Sequence, residues 1–286
     1  MPSSRKVPAV QVKPNFSFEF FPPKTTEGKA KLRDTWQQLA QLKPRFFSVT
    51  FGAGGSTLQG TLETVLEIRG GGQQAAPHLS CVASSRTEIA EILARYKDHG
   101  IRHLVALRGD RPSGLASSGE LRYANELVTF IRQTTGDWFH LEVACYPEYH
   151  PQTRNAADEI ANFKRKVEAG ANSAITQYFF NGDAYFRFRD ECESAGITVP
   201  IVPGIMPIGN FSQLARFSEA CGAEIPRWMR LKFESYRDDS QSIRAFGLDV
   251  ITQLCDRLLR HGAPGLHFYT LNQAGLTSTI WQRLGL

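Results

Sequence analysis

The chain has 286 residues, five cysteines and a formal net charge of +5. That length suits either one large α/β barrel or two ordinary domains. The apolar fraction of 42% and charged fraction of 21% are those of a soluble globular protein, and no run approaches the roughly 18 apolar residues of a spanning helix. No membrane partner is therefore expected, and without aromatic platforms interleaved with a basic stripe no nucleic acid is expected either. The start, M-P-S-S-R-K-V-P, is followed by no apolar stretch of the secretory kind, so the cytoplasm is the expected location. Cys81, Cys145, Cys192, Cys221 and Cys255 are scattered and never fall in a C-x-x-C pair. Neither disulfides nor structural zinc is expected from them, and no metal ligands are assigned.

In chain order, short apolar runs alternate with longer amphipathic ones. Between Asn15 and Pro23, F-S-F-E-F-F-P-P is an aromatic β-type run with one carboxylate, Glu19, at its centre and a proline pair at its end. An apolar surround favours the neutral acid, which is what a proton donor near neutral pH needs. The alternative is a half-exposed strand with Glu19 in solvent. Further strands are expected at Phe46 to Phe51, His78 to Val82, His103 to Leu107, Leu141 to Tyr146, Ala174 to Phe180, Ile201 to Ile205 and Leu266 to Leu271, after a first at Phe18 to Phe21. Helical patterns lie near 28–42, 57–69, 86–99, 121–134, 155–169, 183–195, 211–221, 241–261 and 276–284. Gly100, Gly170, Gly196 and Gly262 stand where helices end in the left-handed conformation. The segment 222–240 breaks the alternation and reads as an elaboration of the last loop.

Eight strands alternating with helices, without an internal repeat or a Pro/Gly/Ser-rich linker, predict one α/β domain, a closed (β/α)₈ barrel spanning 1–286. The competing architecture is an open doubly wound sheet. Against it, no G-x-G-x-x-G opens a helix after the first strand, and Gly52-Ala53-Gly54-Gly55 does not fit that fingerprint. This cluster makes either a tight loop or backbone amides near a ligand. A barrel carries its chemistry at the C-terminal ends of its strands. There stand Glu19, Thr50, His78, the turn Arg108-Gly109-Asp110, Tyr146 through His150, and Gln177. Singly, His78 could be a satisfied buried imidazole, Asp110 a loop cap and Gln177 a polar spacer. Jointly they are an improbable accident among otherwise apolar strand positions. The basic run Lys164-Arg165-Lys166 fits a solvated helix face or a small anionic ligand.

The motifs F-S-F-E-F-F-P-P-K (16–24), V-T-F-G-A-G-G-S-T (49–57), A-P-H-L-S-C (76–81), G-I-R-H-L-V-A-L-R-G-D (100–110), Y-P-E-Y-H-P (146–151), K-R-K-V-E-A-G-A (164–171), A-I-T-Q-Y-F-F (174–180), P-G-I-M-P (203–207) and H-F-Y-T-L-N (267–272) follow in order over nearly the whole chain. Together they resemble the motif set of the bacterial 5,10-methylenetetrahydrofolate reductases. The resemblance implies an eight-stranded barrel with non-covalent FAD. The FAD would take hydride from NADH or NADPH and pass it to 5,10-methylenetetrahydrofolate, giving 5-methyltetrahydrofolate in the one-carbon metabolism that feeds methionine synthesis. It further implies a homo-oligomer and, since the chain stops soon after its last helix, no appended regulatory domain and no inhibition by S-adenosylmethionine.

By the same resemblance, Thr50, His78, Arg108, Gly109, Asp110, Tyr146 and His150 stand on the flavin side. Asn162, Arg165 and Lys166 would meet the cofactor's ribose, phosphates and adenine, together with either Glu159 or its neighbour Asp158. Gln177 would bond the pterin edge, its amide giving both a donor and an acceptor. Phe217 would stack on the substrate and Tyr269 would make a further ligand contact, while Gln273 stands where relatives carry a basic residue. Opening the bridged ring to a 5-iminium cation is helped by protonating N10, and Glu19, held among phenylalanines, is assigned that proton. Asp110 would act by its charge, opposing negative charge on the reduced flavin. Two other functions fit less of the pattern. A flavin-linked barrel oxidoreductase of the proline dehydrogenase type has no use for Glu19 or Gln177, and a non-enzymatic folate-binding barrel would be colourless.

Overall fold

In the computed structural model, which describes residues 14–51, 57–82, 84–109 and 119–286, β1 (Asn15–Phe20) shows how sequence parity builds the sheet. Phe16, Phe18 and Phe20 are buried on the face that meets the helices. The Phe18 ring centroid lies 5.9 Å from Phe47, 5.8 Å from Phe268 and 6.2 Å from Trp281. Period-two alternation sends Ser17 and Glu19 the other way, into the barrel.

After β1 come α1 (Thr26–Ala40), β2 (Phe46–Val49), α2 (Leu58–Gly70), β3 (Ala75–Ser80), α3 (Arg86–Asp98), β4 (His103–Leu107), α4 (Ala124–Thr135), β5 (His140–Cys145) and α5 (Ala156–Glu168). The second half holds β6 (Ser173–Thr176), α6 (Gly182–Ser194), β7 (Ile201–Val202), β8 (Gly204–Ile205), α7 (Phe211–Cys221), α8 (Arg227–Tyr236), α9 (Ser240–Arg260), β9 (Gly265–Tyr269) and α10 (Gly275–Arg283). Helix starts follow local chemistry. The side chains of Thr25, Thr57, Asn155 and Asn210 each accept a backbone N–H of the first turn, and Ser85 with Glu88 forms a reciprocal capping box. Each such cap is worth about 1 kcal/mol. Gly100, Gly170, Gly196 and Gly262 have φ of +66°, +114°, +78° and +83°, as expected of residues that end helices.

All strand pairs are parallel, in the order β7-β6-β5-β4-β3-β2-β1-β9-β8. β7 pairs with β6 and β8 with β9, and Pro203 alone separates β7 from β8. The expected single strand from Ile201 to Ile205 is therefore two pieces. Proline has no N–H for the ladder. Its carbonyl still accepts from His267 N at 2.9 Å, and Gly204 N donates to Thr176 Oγ1 at 2.9 Å. The result is the nearly closed α/β barrel that the alternation predicts, with its eighth place filled by a split strand.

Two other expectations change. The strand expected from Ala174 to Phe180 stops at Thr176, because Gln177 turns its side-chain Oε1 back to the Tyr178 N–H at 3.0 Å. The segment 222–240 is no mere loop, since it contains α8. Met229 and Phe233 are buried there, and Phe233 stacks on Phe211 with centroids 4.9 Å apart. Inside the barrel Phe46, Ala76, Val105 and Ile175, from four strands, form a small apolar cluster, the layered filling typical of these barrels. No helix among the described residues is long and apolar enough to cross a membrane.

Candidate active site

Glu19 Oε2 lies 3.4 Å from His78 Nε2 and 3.6 Å from His267 Nε2. Strand pairing explains the meeting. Glu19 is aligned with Tyr269 on β9, two residues beyond His267 on the same face, and His78 faces the interior from β3. His267 Nδ1 is 2.7 Å from Ser17 Oγ, which leaves Nε2 for Glu19. Neither Nε2 has a hydrogen-bond partner among the described residues. Burial holds the His78 pKa below its ordinary value, Glu19 opposing and His267 adding to the effect. His78 is thus a neutral imidazole at neutral pH. The expected surround of phenylalanines is corrected: those rings face the helices, and the carboxylate has imidazoles for neighbours. At 19% side-chain exposure it is not a solvent-facing strand residue either.

Thr50 follows β2 with its backbone fully used. Its N–H donates to Phe20 O at 2.9 Å and its carbonyl accepts from Thr61 Oγ1 at 2.8 Å. Its hydroxyl, like that of Ser48, is buried without a partner among the described residues.

The rim after β4 and β5 gathers most of the other predicted residues. Arg108 Nη1 donates to Gln152 Oε1 at 2.7 Å, joining the two loops. Gly109 has φ of +82°, and a Cβ there would lie 2.8 Å from Ser80 Cβ, so this turn demands glycine. Tyr146 meets His150 edge-on at 4.7 Å. Lys166 Nζ lies 5.9 Å from the Tyr146 ring centroid and donates to Ala144 O at 2.5 Å. Burial lowers the Lys166 pKa, and Arg108 pushes it the same way while Glu159 opposes.

Of the two acids on α5, Glu159 is buried and braces the loop, accepting from His150 N at 3.1 Å and Thr153 Oγ1 at 2.8 Å. Asp158 is the accessible one, paired with Arg154 at 2.9 Å. Asn162 and Arg165 hydrogen-bond to each other. Asp110 and the cluster 52–55 lie outside the described residues.

Gln177 and Tyr146 line one small recess together with Glu148 and Cys221. Tyr178 Oη is 3.1 Å from Ser218 Oγ, which ties α7 to this rim. Phe217, the residue before Ser218, is half-buried with the Arg216 guanidinium 5.7 Å from its ring centroid. Tyr269 has its hydroxyl committed to Thr176 O at 2.7 Å, and its ring meets His267 edge-on at 5.3 Å. Gln273 is exposed in the turn after β9.

Two residues the sequence reading did not single out, Ser17 and His267, belong to this end. Ser17 and His267 are legible in retrospect from alternation with Glu19 and Tyr269. Glu148 lies inside the expected polar stretch from Tyr146 to His150, which gave it no role of its own. Its Oε2 accepts the Glu224 N–H at 2.8 Å, and Oε1 is buried without a partner among the described residues. Burial raises its carboxyl from 4.5 to about 7. A carboxyl raised by folding stabilises the fold below its unfolded value, and that contribution is lost as pH rises through about 7. The rise corresponds to at most about 3 kcal/mol, reduced by partial exposure to about 1–2 kcal/mol. Glu148→Gln is therefore expected to raise the Tm by about 2–6 °C at pH 8 and very little at pH 5. Equal shifts at both pH values in thermal melts would show that ionised Glu148 is not a strained group.

Known proteins share this framework. The family model for methylenetetrahydrofolate reductase matches residues 5–285. The 5,10-methylenetetrahydrofolate reductase of Salmonella typhimurium is 43% identical over 278 residues, covering 97% of this chain and 93% of that protein, and the Escherichia coli enzyme is 42% identical over the same span. Methylenetetrahydrofolate reductase (NADH) 1 of Arabidopsis thaliana is 36% identical over 285 residues, of which the match spans 48% of its length. Among solved structures, an uncharacterized protein from Clostridium thermocellum, described as binding two copies of 5-methyl-5,6,7,8-tetrahydrofolic acid, shares the fold with a TM-score of 0.65. It is 15% identical, over 94% of this chain and 93% of that one. The barrel, its interior Glu19 cluster and a match running almost end to end place this chain in the methylenetetrahydrofolate reductase family.

Proposed function

We propose that this chain reduces 5,10-methylenetetrahydrofolate to 5-methyltetrahydrofolate, drawing hydride from NADH or NADPH through a bound FAD. The observation that carries the reading is Glu19, held between two imidazole nitrogens at the strand ends where the other polar groups collect, in a chain of this family.

The residues fit a flavin dinucleotide. Thr50 Oγ1 is buried without a partner among the described residues, Arg108 reaches from the end of β4 to Gln152, and Lys166 lies beside the aromatic face of Tyr146. Such cations are what a pyrophosphate needs. When bound, FAD supplies the two-electron relay between nicotinamide and folate. Thr50, His78, Arg108, Gly109 and Tyr146 would hold its flavin end, with Asn162, Arg165 and Lys166 toward the phosphates and adenine. Asp158, rather than the buried Glu159, is the acid with room for a ribose hydroxyl.

Toward the folate, Gln177 presents an amide whose orientation is set by its bond to the Tyr178 N–H, leaving the NH₂ to donate to the pterin edge. Phe217 would cover the ring. Glu19 is assigned the proton given to N10, with the Nε2 atoms of His78 and His267 as its polar neighbours.

Protein purified without added flavin is expected to be yellow and to release FAD on denaturation. Release of FMN, or a colourless protein that takes up no flavin, would sink the reading and favour a folate-binding barrel. Anaerobic reduction by NADH and by NADPH, followed by mixing with methylenetetrahydrofolate, then measures the donor preference and the overall reaction.

A further inference from the structure

At the opposite end of the barrel, where the strands begin, three side chains unused by the proposed reaction converge. His103 opens β4 and His140 opens β5, as aligned partners in the ladder. Glu142, two residues after His140, falls on the same face and is aligned with Ser173 at the start of β6. Glu142 Oε1 lies 3.1 Å from His103 Nε2 and 3.4 Å from His140 Nε2, and the three donor atoms lie within 4.8 Å of one another.

Two imidazoles and a carboxylate are a donor set used for zinc, and donors held about 2.0–2.1 Å from a tetrahedral ion stand about 3.3 Å apart. Two of the three separations here already have that value. We propose that His103, His140 and Glu142 form a binding site for a divalent transition ion of the Zn²⁺, Co²⁺ or Ni²⁺ type at the floor of the barrel. Imidazole favours such ions over Mg²⁺ and Ca²⁺.

The surroundings hold the ligands in place. Ser173 Oγ donates to Glu142 Oε2 at 2.5 Å and lies 2.9 Å from His140 Nε2, so it braces two of the three ligands at once, and an ion would take the place of the His140 Nε2 proton. The His103 ring packs against Phe46 at 4.1 Å and edge-on against His140 at 4.7 Å. Outer partners of this kind set ligand orientation and affinity. The site is also reachable: Glu142 is 3% exposed, but His103 is 12% and His140 32% exposed, so the fourth position opens to water on the His140 side. Arg45, a cation that acts on His103, lies on the exposed surface where water screens it. A bound ion would clamp β4 to β5 and stabilise the fold without joining the chemistry at Glu19. The cysteine pattern gives no hint of it, because the ligands come from two strands 37 residues apart in their histidines.

The test begins with chelator-treated protein, still carrying its own cofactor, dialysed against ZnCl₂ or MgCl₂ and analysed for retained metal. About one Zn²⁺ per chain and no Mg²⁺ are expected. His140→Ala, at the solvent-open corner, is expected to weaken Zn²⁺ binding at least tenfold. Ser173→Ala, which leaves all three ligands, should weaken it by about 10- to 100-fold. Co²⁺ loading of the unaltered chain should give the visible bands of a four-coordinate ion with no thiolate charge-transfer band. The proposal is overturned by an absence of stoichiometric Zn²⁺, by equal uptake of Mg²⁺, by a thiolate band, or by undiminished binding in both variants. Should His140→Ala fail to fold, the Ser173→Ala affinity and the cobalt spectrum decide.

Discussion

Replacing Glu19 by Gln is expected to leave reduction of the holoenzyme by nicotinamide nearly intact and to slow the folate half-reaction by about 10²- to 10⁴-fold, the range of general acid catalysis. Glutamine keeps the size of the side chain but has no proton to give at N10. The substitution should not unfold the barrel. His78 is already held neutral by burial, so removing the carboxylate strands no buried imidazolium, and Ser17 still holds His267 through Nδ1. The two half-reactions, followed separately by stopped-flow absorbance, give the answer. Equal losses in both would make Glu19 a structural residue of the barrel interior. Loss in the nicotinamide step alone would move it to the cofactor side.

Strand parity alone shows which residues cannot share a face with Glu19. Phenylalanines at 16, 18 and 20 are odd-numbered steps away from Glu19 along a strand, and a period of two forbids them from surrounding it. What no single strand could show is the identity of the neighbours, since His78 and His267 arrive from 59 and 248 residues away through the sheet order. Parity puts His267 on one face with Tyr269 and Ser17 on one face with Glu19, a signal in the sequence that was not used. The rim was legible as separate motifs only. That Glu159 braces the loop while Asp158 stays accessible depends on how residues 150–153 fold back on α5.

The alternation of strands and helices was readable because each apolar run is short and most helices begin at a side-chain cap of their own. Its failures are equally physical. Gln177 ends β6 early through a side-chain bond to its neighbour's N–H, a choice invisible to hydropathy. α8 was hidden because its exposed face is rich in Arg, Lys and Trp, although Met229 and Phe233 are spaced four apart as a buried helical stripe requires. Pro203 in the middle of an apolar run was the signal for a broken strand, and it marks the seam where the barrel closes.

That seam makes Gly204→Ala a large expected loss of stability. Tyr269 reaches from β9 across Gly204 to put its hydroxyl on Thr176 O at 2.7 Å, and Gly204 N bonds Thr176 Oγ1 at 2.9 Å. A Cβ on Gly204 would stand 2.1 Å from Thr176 O and 2.7 Å from Tyr269 Cε2. One of these contacts is to backbone, so β8 or β6 must move and the two hydrogen bonds go with it. Overpacking of this kind costs about 1–3 kcal/mol and each lost bond about 1 kcal/mol. The sum, about 3–5 kcal/mol, is a large part of the about 5–15 kcal/mol that holds an ordinary domain together. Tyr269→Phe, which loses only the hydroxyl bond, should cost about 1 kcal/mol. Gly275→Ala, where a Cβ meets nothing within 4 Å at the start of α10, should be neutral or slightly stabilising. Urea unfolding of the three variants provides the comparison. A Gly204→Ala midpoint as high as that of Gly275→Ala would mean that the barrel does not close through Thr176 and Tyr269. A fall in the expected order would tie closure to the site itself, because the same Tyr269 ring rests against His267, the imidazole beside Glu19.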